Sequence, residues 1–291
     1  MAQIVGGIAT SHIPSIGNAI AKGLQHDPYW RPFFAGFDPV RQWLGKVKPD
    51  VAVVVYNDHG LNFFLDKMPT FAVGAAKTYR HADEGWGLPI SPPFAGDAAF
   101  SWHLIEALVA DEFDIVTCQE MLVDHALTVP MALLWPDGKA APAAIVPLVV
   151  NTVQHPLPSP KRCLDFGRAI GRAIASYERD LRVVVIGTGG MSHQLEGTRA
   201  GFINKEFDLF CLEKIVRAPE IFAGYSIAQL VELAGSQGVE FLNWLVMRGA
   251  LTGQVTQIHR NYHVPISNTA TGLLALENTP IAARQLSLAT V

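Results

Sequence analysis

The sequence predicts an α/β fold, a largely buried sheet covered by helices on both faces. Three observations carry that expectation. Several short apolar runs are β-branched and continuous rather than alternating, as strands buried on both faces are. Helical stretches lie between them. No Pro/Ser-rich linker, internal repeat or charge run divides the chain, which favours one domain over residues 1–291.

Strands are expected at residues 4–8, 51–56, 145–150 and 182–186. Helices are expected at 98–110, 163–177 and 206–216. Residues 63–93 are rich in Pro, Gly and aromatics and read as a long irregular excursion, of the kind that often carries function. Ser226-Ile227-Ala228-Gln229 has the capping-box pattern and should start a helix. Another helix should run over about 238–248 and stop at Gly249.

Hydrophobic residues make up 49% of the chain and charged residues 16%. The latter is below the usual share of about 25%, so the chain is not disordered, and its weakly charged surface suits an oligomer or a permanent partner. Lys and Arg number 22 against 26 Asp and Glu, a net charge of −4, which gives no electrostatic grip on nucleic acid. Cys118, Cys163 and Cys211 are far apart, so neither a disulfide framework nor a thiolate zinc site is expected. The N-terminal stretch lacks a basic flank and a long apolar segment. The longest apolar run, 140–150, contains Pro142 and Pro147 and falls short of the roughly 20 residues of a membrane span. A soluble, cytoplasmic protein is expected.

Three of the strands run into a histidine. The first ends in Thr10-Ser11-His12, the second in Asn57-Asp58-His59, and the fourth in Gly187-Thr188-Gly189-Gly190-Met191-Ser192-His193. Ligands bind outside the carboxyl ends of strands in open α/β sheets, so the three imidazoles could converge, depending on strand order. Glu240 sits near the start of an apolar helix. It either takes advantage of the helix N-terminus or, if buried, needs a cation beside it. Two His and a carboxylate suit non-haem Fe(II), and zinc or manganese also fit. Spacing alone does not say which two histidines ligate. Gly187-Thr188-Gly189-Gly190 matches no phosphate loop in full and reads as a tight turn that lets backbone crowd the site. Asp124-His125 is either a helix-start pair capped by Asp or a polar pair facing a ligand. The remaining histidines, His26, His81, His103, His155, His259 and His263, read as surface or structural.

These stretches, with Ala82-Asp83-Glu84-Gly85-Trp86-Gly87, Ile203-Asn204-Lys205-Glu206-Phe207-Asp208, Met247-Arg248-Gly249-Ala250-Leu251 and Ser267-Asn268-Thr269-Ala270, carry a resemblance. The sequence is similar to the catalytic β subunits of protocatechuate 4,5-dioxygenase, in the class III extradiol ring-cleavage family, over nearly its whole length. The resemblance implies a three-layer α/β/α single domain with a mixed central sheet. It implies that His12, His59 and Glu240 hold Fe(II) and that His193 is the catalytic base. It places His125, Asn57 and Ser267 near the substrate, the last beside a ring carboxylate. It also implies a separate, small, all-helical α subunit, as in an α2β2 assembly. The implied reaction is extradiol cleavage of protocatechuate by O2. Rival readings are the same reaction on gallate, a methylated gallate or an aminophenol, and a zinc-dependent hydrolase. A third, a non-catalytic partner subunit, sits poorly with four retained active residues. The chain departs from the family pattern at Gly60-Leu61-Asn62 and at Ala126-Leu127, both expected near the pocket.

Overall fold

A computed structural model describes residues 1–85, 88–137, 141–264 and 267–279. Trp86 and Gly87 of the ADEGWG stretch, the start of the apolar run at Ala140 and the last twelve residues lie outside them.

The chain begins with β1 (Gln3–Thr10), α1 (Pro14–Ala21), α2 (Arg31–Ala35), α3 (Asp38–Val47) and β2 (Val51–Tyr56). Next come β3 (Phe71–Gly74), β4 (Thr78–His81), β5 (Phe94–Ala95), α4 (Ala98–Ala110), β6 (Val116–Cys118) and β7 (Leu122–Val123). Then follow α5 (His125–Leu134), β8 (Ala144–Val150), α6 (Pro160–Ala175), β9 (Arg182–Thr188), α7 (Lys205–Arg217) and α8 (Ile227–Ala234). The last elements are α9 (Phe241–Ala250), β10 (Gln254–His263) and β11 (Thr271–Thr279).

Eight strands form one mixed sheet in the order β10-β11-β1-β9-β2-β8-β3-β6. Its centre, β1, β9, β2 and β8, is parallel. β11 lies antiparallel to β1, and β3 antiparallel to β8. β4, β5 and β7 make a small second sheet.

Side-chain alternation along each central strand divides the interior into two cores. Val51, Val53 and Val55 face one layer with α4, α6, α7 and α9. Ala52, Val54 and Tyr56 face the other with α1, α3 and α5. Val183 and Val185 against Val184 and Ile186 repeat the division on β9. Strands covered on both sides need apolar residues at every position, which is why these runs are continuous in the sequence. The architecture is three-layered, with helices on both faces of a mixed sheet.

The four expected strands and three expected helices are present with ends shifted by at most three residues. Ser226 caps α8 with both bonds of the capping box. Other expectations are corrected. The 63–93 stretch is not wholly irregular, since it holds β3 and β4, strands of four residues each that Pro69 and Gly74 disguise. The last expected helix opens as a 3-10 turn at Gly238–Glu240 and continues through Gly249 to Ala250. Gly249 is a packing residue rather than a stop, because a Cβ there would collide with the Leu164 carbonyl and sit 3.1 Å from the Gly167 Cα. β10 and β11 have no counterpart in the sequence-based expectation. β10 is an edge strand of polar and half-exposed residues, so no apolar run marks it. All three cysteines are buried and free. Among the described residues, no helix is long and apolar enough to cross a membrane.

Candidate active site

The carboxyl ends of β1, β9, β2 and β8 share one edge of the sheet, and the loops beyond them surround a cavity of about 490 Å³. His12 follows β1, Asn57 and His59 follow β2, and His193 follows β9. Because β9 lies between β1 and β2, the three loops are neighbours. Glu240 closes the group from the 3-10 turn that precedes α9.

Glu240 is 6% exposed and sits at the centre. Its Oε2 lies 3.5 Å from His12 Nε2 and 3.9 Å from His193 Nε2. Its Oε1 lies 3.9 Å from His59 Nε2 and accepts a 3.3 Å bond from Asn57 Nδ2. Gly190 N donates to Oε2 at 3.0 Å. Gly189 and Gly190 both have positive φ, and a Cβ on Gly189 would stand 2.6 Å from the Glu240 Cβ. Only glycine lets the backbone approach the carboxylate this closely, as the tight-turn reading expects.

Each ring is oriented from behind. Asp124 Oδ2 accepts from both His59 Nδ1, at 3.0 Å, and His59 N, at 2.9 Å. A carboxylate can only accept, so His59 carries a proton on Nδ1, and its Nε2 faces Glu240. Asn57 Nδ2 lies 3.1 Å from that Nε2. His193 Nδ1 lies 3.0 Å from the Met191 carbonyl, which leaves Nε2 unprotonated in the neutral ring. His12 Nδ1 contacts Thr188 Oγ1 at 3.0 Å. Asn243 extends the support, donating to Asn57 Oδ1 at 3.3 Å and to the Thr188 carbonyl at 2.8 Å.

Burial alone would raise the Glu240 carboxyl, but His12, His193 and His59 hold it well below the ordinary carboxylate range. Burial would lower His59, yet Asp124, Glu240 and Glu84 together raise it to about 9. Asp124, for which burial is again the largest single influence, is held at about 2 by His59 and His125. A negative field this strong favours a cation at the histidine Nε2 positions, and a divalent metal meets it as well as a proton does. The donor set, two imidazole nitrogens and a carboxylate, fits such an ion.

His125 lies against these rings, 4.2 Å from His59 and 5.4 Å from His12 between centroids. Glu84 holds it with two bonds of 2.7 Å, to Nδ1 and to the backbone N. Ring nitrogens of His12, His59 and His125 all lie within 4.8 Å of one another, a second possible metal group. The Asp124-His125 pair starts a helix, as the capping reading expects. Asp124 Oδ1 caps α5 through Ala126 N while Oδ2 orients His59, and His125 lines the cavity.

Of the residues expected near a substrate, His125 and Asn57 line the cavity. Asn57 spends its amide on Glu240, so it orients a carboxylate as much as it faces a ligand. Ser267 is not among the lining residues, and its hydroxyl bonds both the N and the O of Thr269 in a local turn. Thr269 lines the cavity instead. Gly60, Leu61 and Asn62 fold around Asp58, and Ala126 and Leu127 are core residues, so neither departure from the family pattern lines the pocket. His155, expected to be surface or structural, also lines the cavity. Glu84, Asn243 and Thr188 received no role from the sequence. Only tertiary neighbours give them one, because each acts through a residue at least 40 positions away.

The chain belongs to the family of the catalytic LigB subunit of aromatic ring-opening dioxygenase, whose pattern matches residues 6–272. It is similar to a gallate dioxygenase of Pseudomonas putida, 41% identical over 68% of this chain and 58% of that protein. It is also similar to a 2,3-dihydroxyphenylpropionate/2,3-dihydroxicinnamic acid 1,2-dioxygenase of Burkholderia vietnamiensis, 35% identical over 53% of this chain and 46% of that one. The chain thus spans about half the length of these relatives. The crystal structure of an uncharacterized protein from Escherichia coli K12 shares the fold, with a TM-score of 0.52 at 14% identity over 94% of this chain and all of that one.

Proposed function

We propose that this chain is a non-haem Fe(II) extradiol dioxygenase acting on a carboxylated catechol, most simply protocatechuate, with 4-carboxy-2-hydroxymuconate-6-semialdehyde as product. The observation that carries the reading is the buried Glu240 carboxylate facing the Nε2 atoms of His12, His59 and His193 in a family of ring-opening dioxygenases. His12, His59 and Glu240 are the ligands in this reading. Bound by these three residues, ferrous iron would activate the diol and O2 toward each other, and both oxygen atoms would enter the product. His193 offers an unprotonated Nε2, fixed by the Met191 carbonyl, that takes a proton from a substrate hydroxyl and returns it as the ring opens. Asn57 and the Gly190 amide hold the Glu240 carboxylate in place through these steps. His125, held by Glu84, faces the substrate.

Gallate, a methylated gallate or an aminophenol are the neighbouring substrates. The names of the similar proteins, gallate dioxygenase and dihydroxyphenylpropionate dioxygenase, support an aromatic acid. A separate small helical partner, in an α2β2 assembly, and a cytoplasmic setting complete the reading. Val153 and Leu195, exposed apolar residues that line the cavity, support a mouth covered by a partner.

A second reading has a specific basis. The three imidazoles of His12, His59 and His125 suit zinc and a hydrolase. The test is anaerobic purification with Fe(II), metal analysis, then oxygen uptake and absorbance with protocatechuate, gallate and catechol. One O2 consumed per diol with a yellow product is the expected result. Glu240→Gln should lose most of its iron. Full iron occupancy in that variant, or zinc retention with no oxygen uptake, would favour the three-histidine site.

A further inference from the structure

An aromatic acid brings a carboxylate into a cavity whose centre is already negative. That group needs a donor or a cation away from Glu240. Among the described residues lining the cavity there is no lysine or arginine. Its basic side chains are five histidines. Four of them, His12, His59, His125 and His193, crowd around Glu240 and each other. The fifth, His155, stands apart on the loop after β8, exposed at the mouth. Ser267, the expected carboxylate partner, has its hydroxyl committed to Thr269.

The loop that carries His155 is built to hold its shape. Asn151, 4% exposed, bonds it from within. Its Nδ2 donates to the Gln154 carbonyl at 2.7 Å and the Pro156 carbonyl at 3.4 Å. Its Oδ1 accepts from Val153 N at 3.1 Å and Gln154 N at 3.0 Å. The backbone on both sides of His155 is therefore set before any ligand arrives, which lowers the ordering cost of binding. Thr152 and Leu157 from the same loop also line the cavity. An imidazole offers an N–H to an oxyanion in either protonation state.

We propose that His155 binds the carboxylate of the ring substrate and so selects carboxylated diols over plain catechol. The inference rests on the ring-cleavage reading for its substrate class.

Anaerobic calorimetry and steady-state kinetics on the iron-loaded chain test it, with protocatechuate and catechol as probes. The measured quantity is the preference for protocatechuate over catechol, in Kd and in kcat/KM. His155→Phe, which fills the space without a donor, should reduce that preference about tenfold, the value of one charge-assisted hydrogen bond. His155→Gln, which keeps a donor, should lose less. An unchanged preference in His155→Phe overturns the proposal, as does equal weakening of both diols. The two readings fail separately. If the unmodified chain opens neither ring, ring cleavage is what falls, while the calorimetric preference still decides the role of His155.

Discussion

His193 has its Nδ1 fixed on a carbonyl and its Nε2 beside the carboxylate of Glu240. His193→Phe removes the base while leaving His12, His59 and Glu240 intact. Iron content should stay near one per chain and turnover should fall by about 10²–10⁴, the usual contribution of general base catalysis. Unaltered turnover would remove His193 from the mechanism. Asp124 gives a pH prediction. Its folded pKa of about 2 is below the ordinary value of about 3.9. Its contribution to stability is therefore fully present above the unfolded value and is lost as pH falls through the folded one. One His59–Asp124 interaction underlies both shifted values, so it counts once. Urea unfolding of the metal-free chain should show Asp124→Asn losing on the order of 2 kcal/mol at pH 6. The gap to the parent should narrow steadily below about pH 4. A constant gap across that range would sink the assignment.

At the scale of elements, most helices and central strands were legible because each carries a local signal. Continuous apolar runs marked β2 and β9, and the capping box marked the start of α8. Gly249 was misread because a glycine near a helix end looks the same whether it terminates the helix or admits a neighbour. Here it admits α6, with Gly167 meeting α9 in turn. Gly249→Val should therefore destabilise the chain by about 1–3 kcal/mol, the usual cost of overpacking, as read by thermal or urea unfolding. A stabilised variant, as a helix-propensity argument alone would give, would contradict the packing role. β10 escaped the sequence because an edge strand needs no apolar run, whereas β11, inside the sheet, carries a buried apolar run at 273–276 that was passed over.

At the scale of the whole molecule, the carboxyl edge of the parallel core gathers residues from 12 to 269 into one site. An ion held there by groups from three separate segments binds the folded chain and not the unfolded one. Fe(II) added anaerobically at about 100 times its Kd should stabilise the chain by about 2.7 kcal/mol, seen as a rise in Tm that a chelator reverses. No shift would argue against a metal site at Glu240. The sequence by itself determined the fold class, the main elements and the residue types at strand ends, because strand burial and capping are local in the chain. It also marked His12, His59, His193 and Glu240 as candidates. Only the tertiary structure decided which of them meet, since that depends on β9 lying between β1 and β2. It also turned Asn57 toward Glu240, paired Glu84 with His125 and brought His155 to the cavity wall. Those outcomes are set by contacts between residues far apart in sequence, and no local pattern in the chain encodes them.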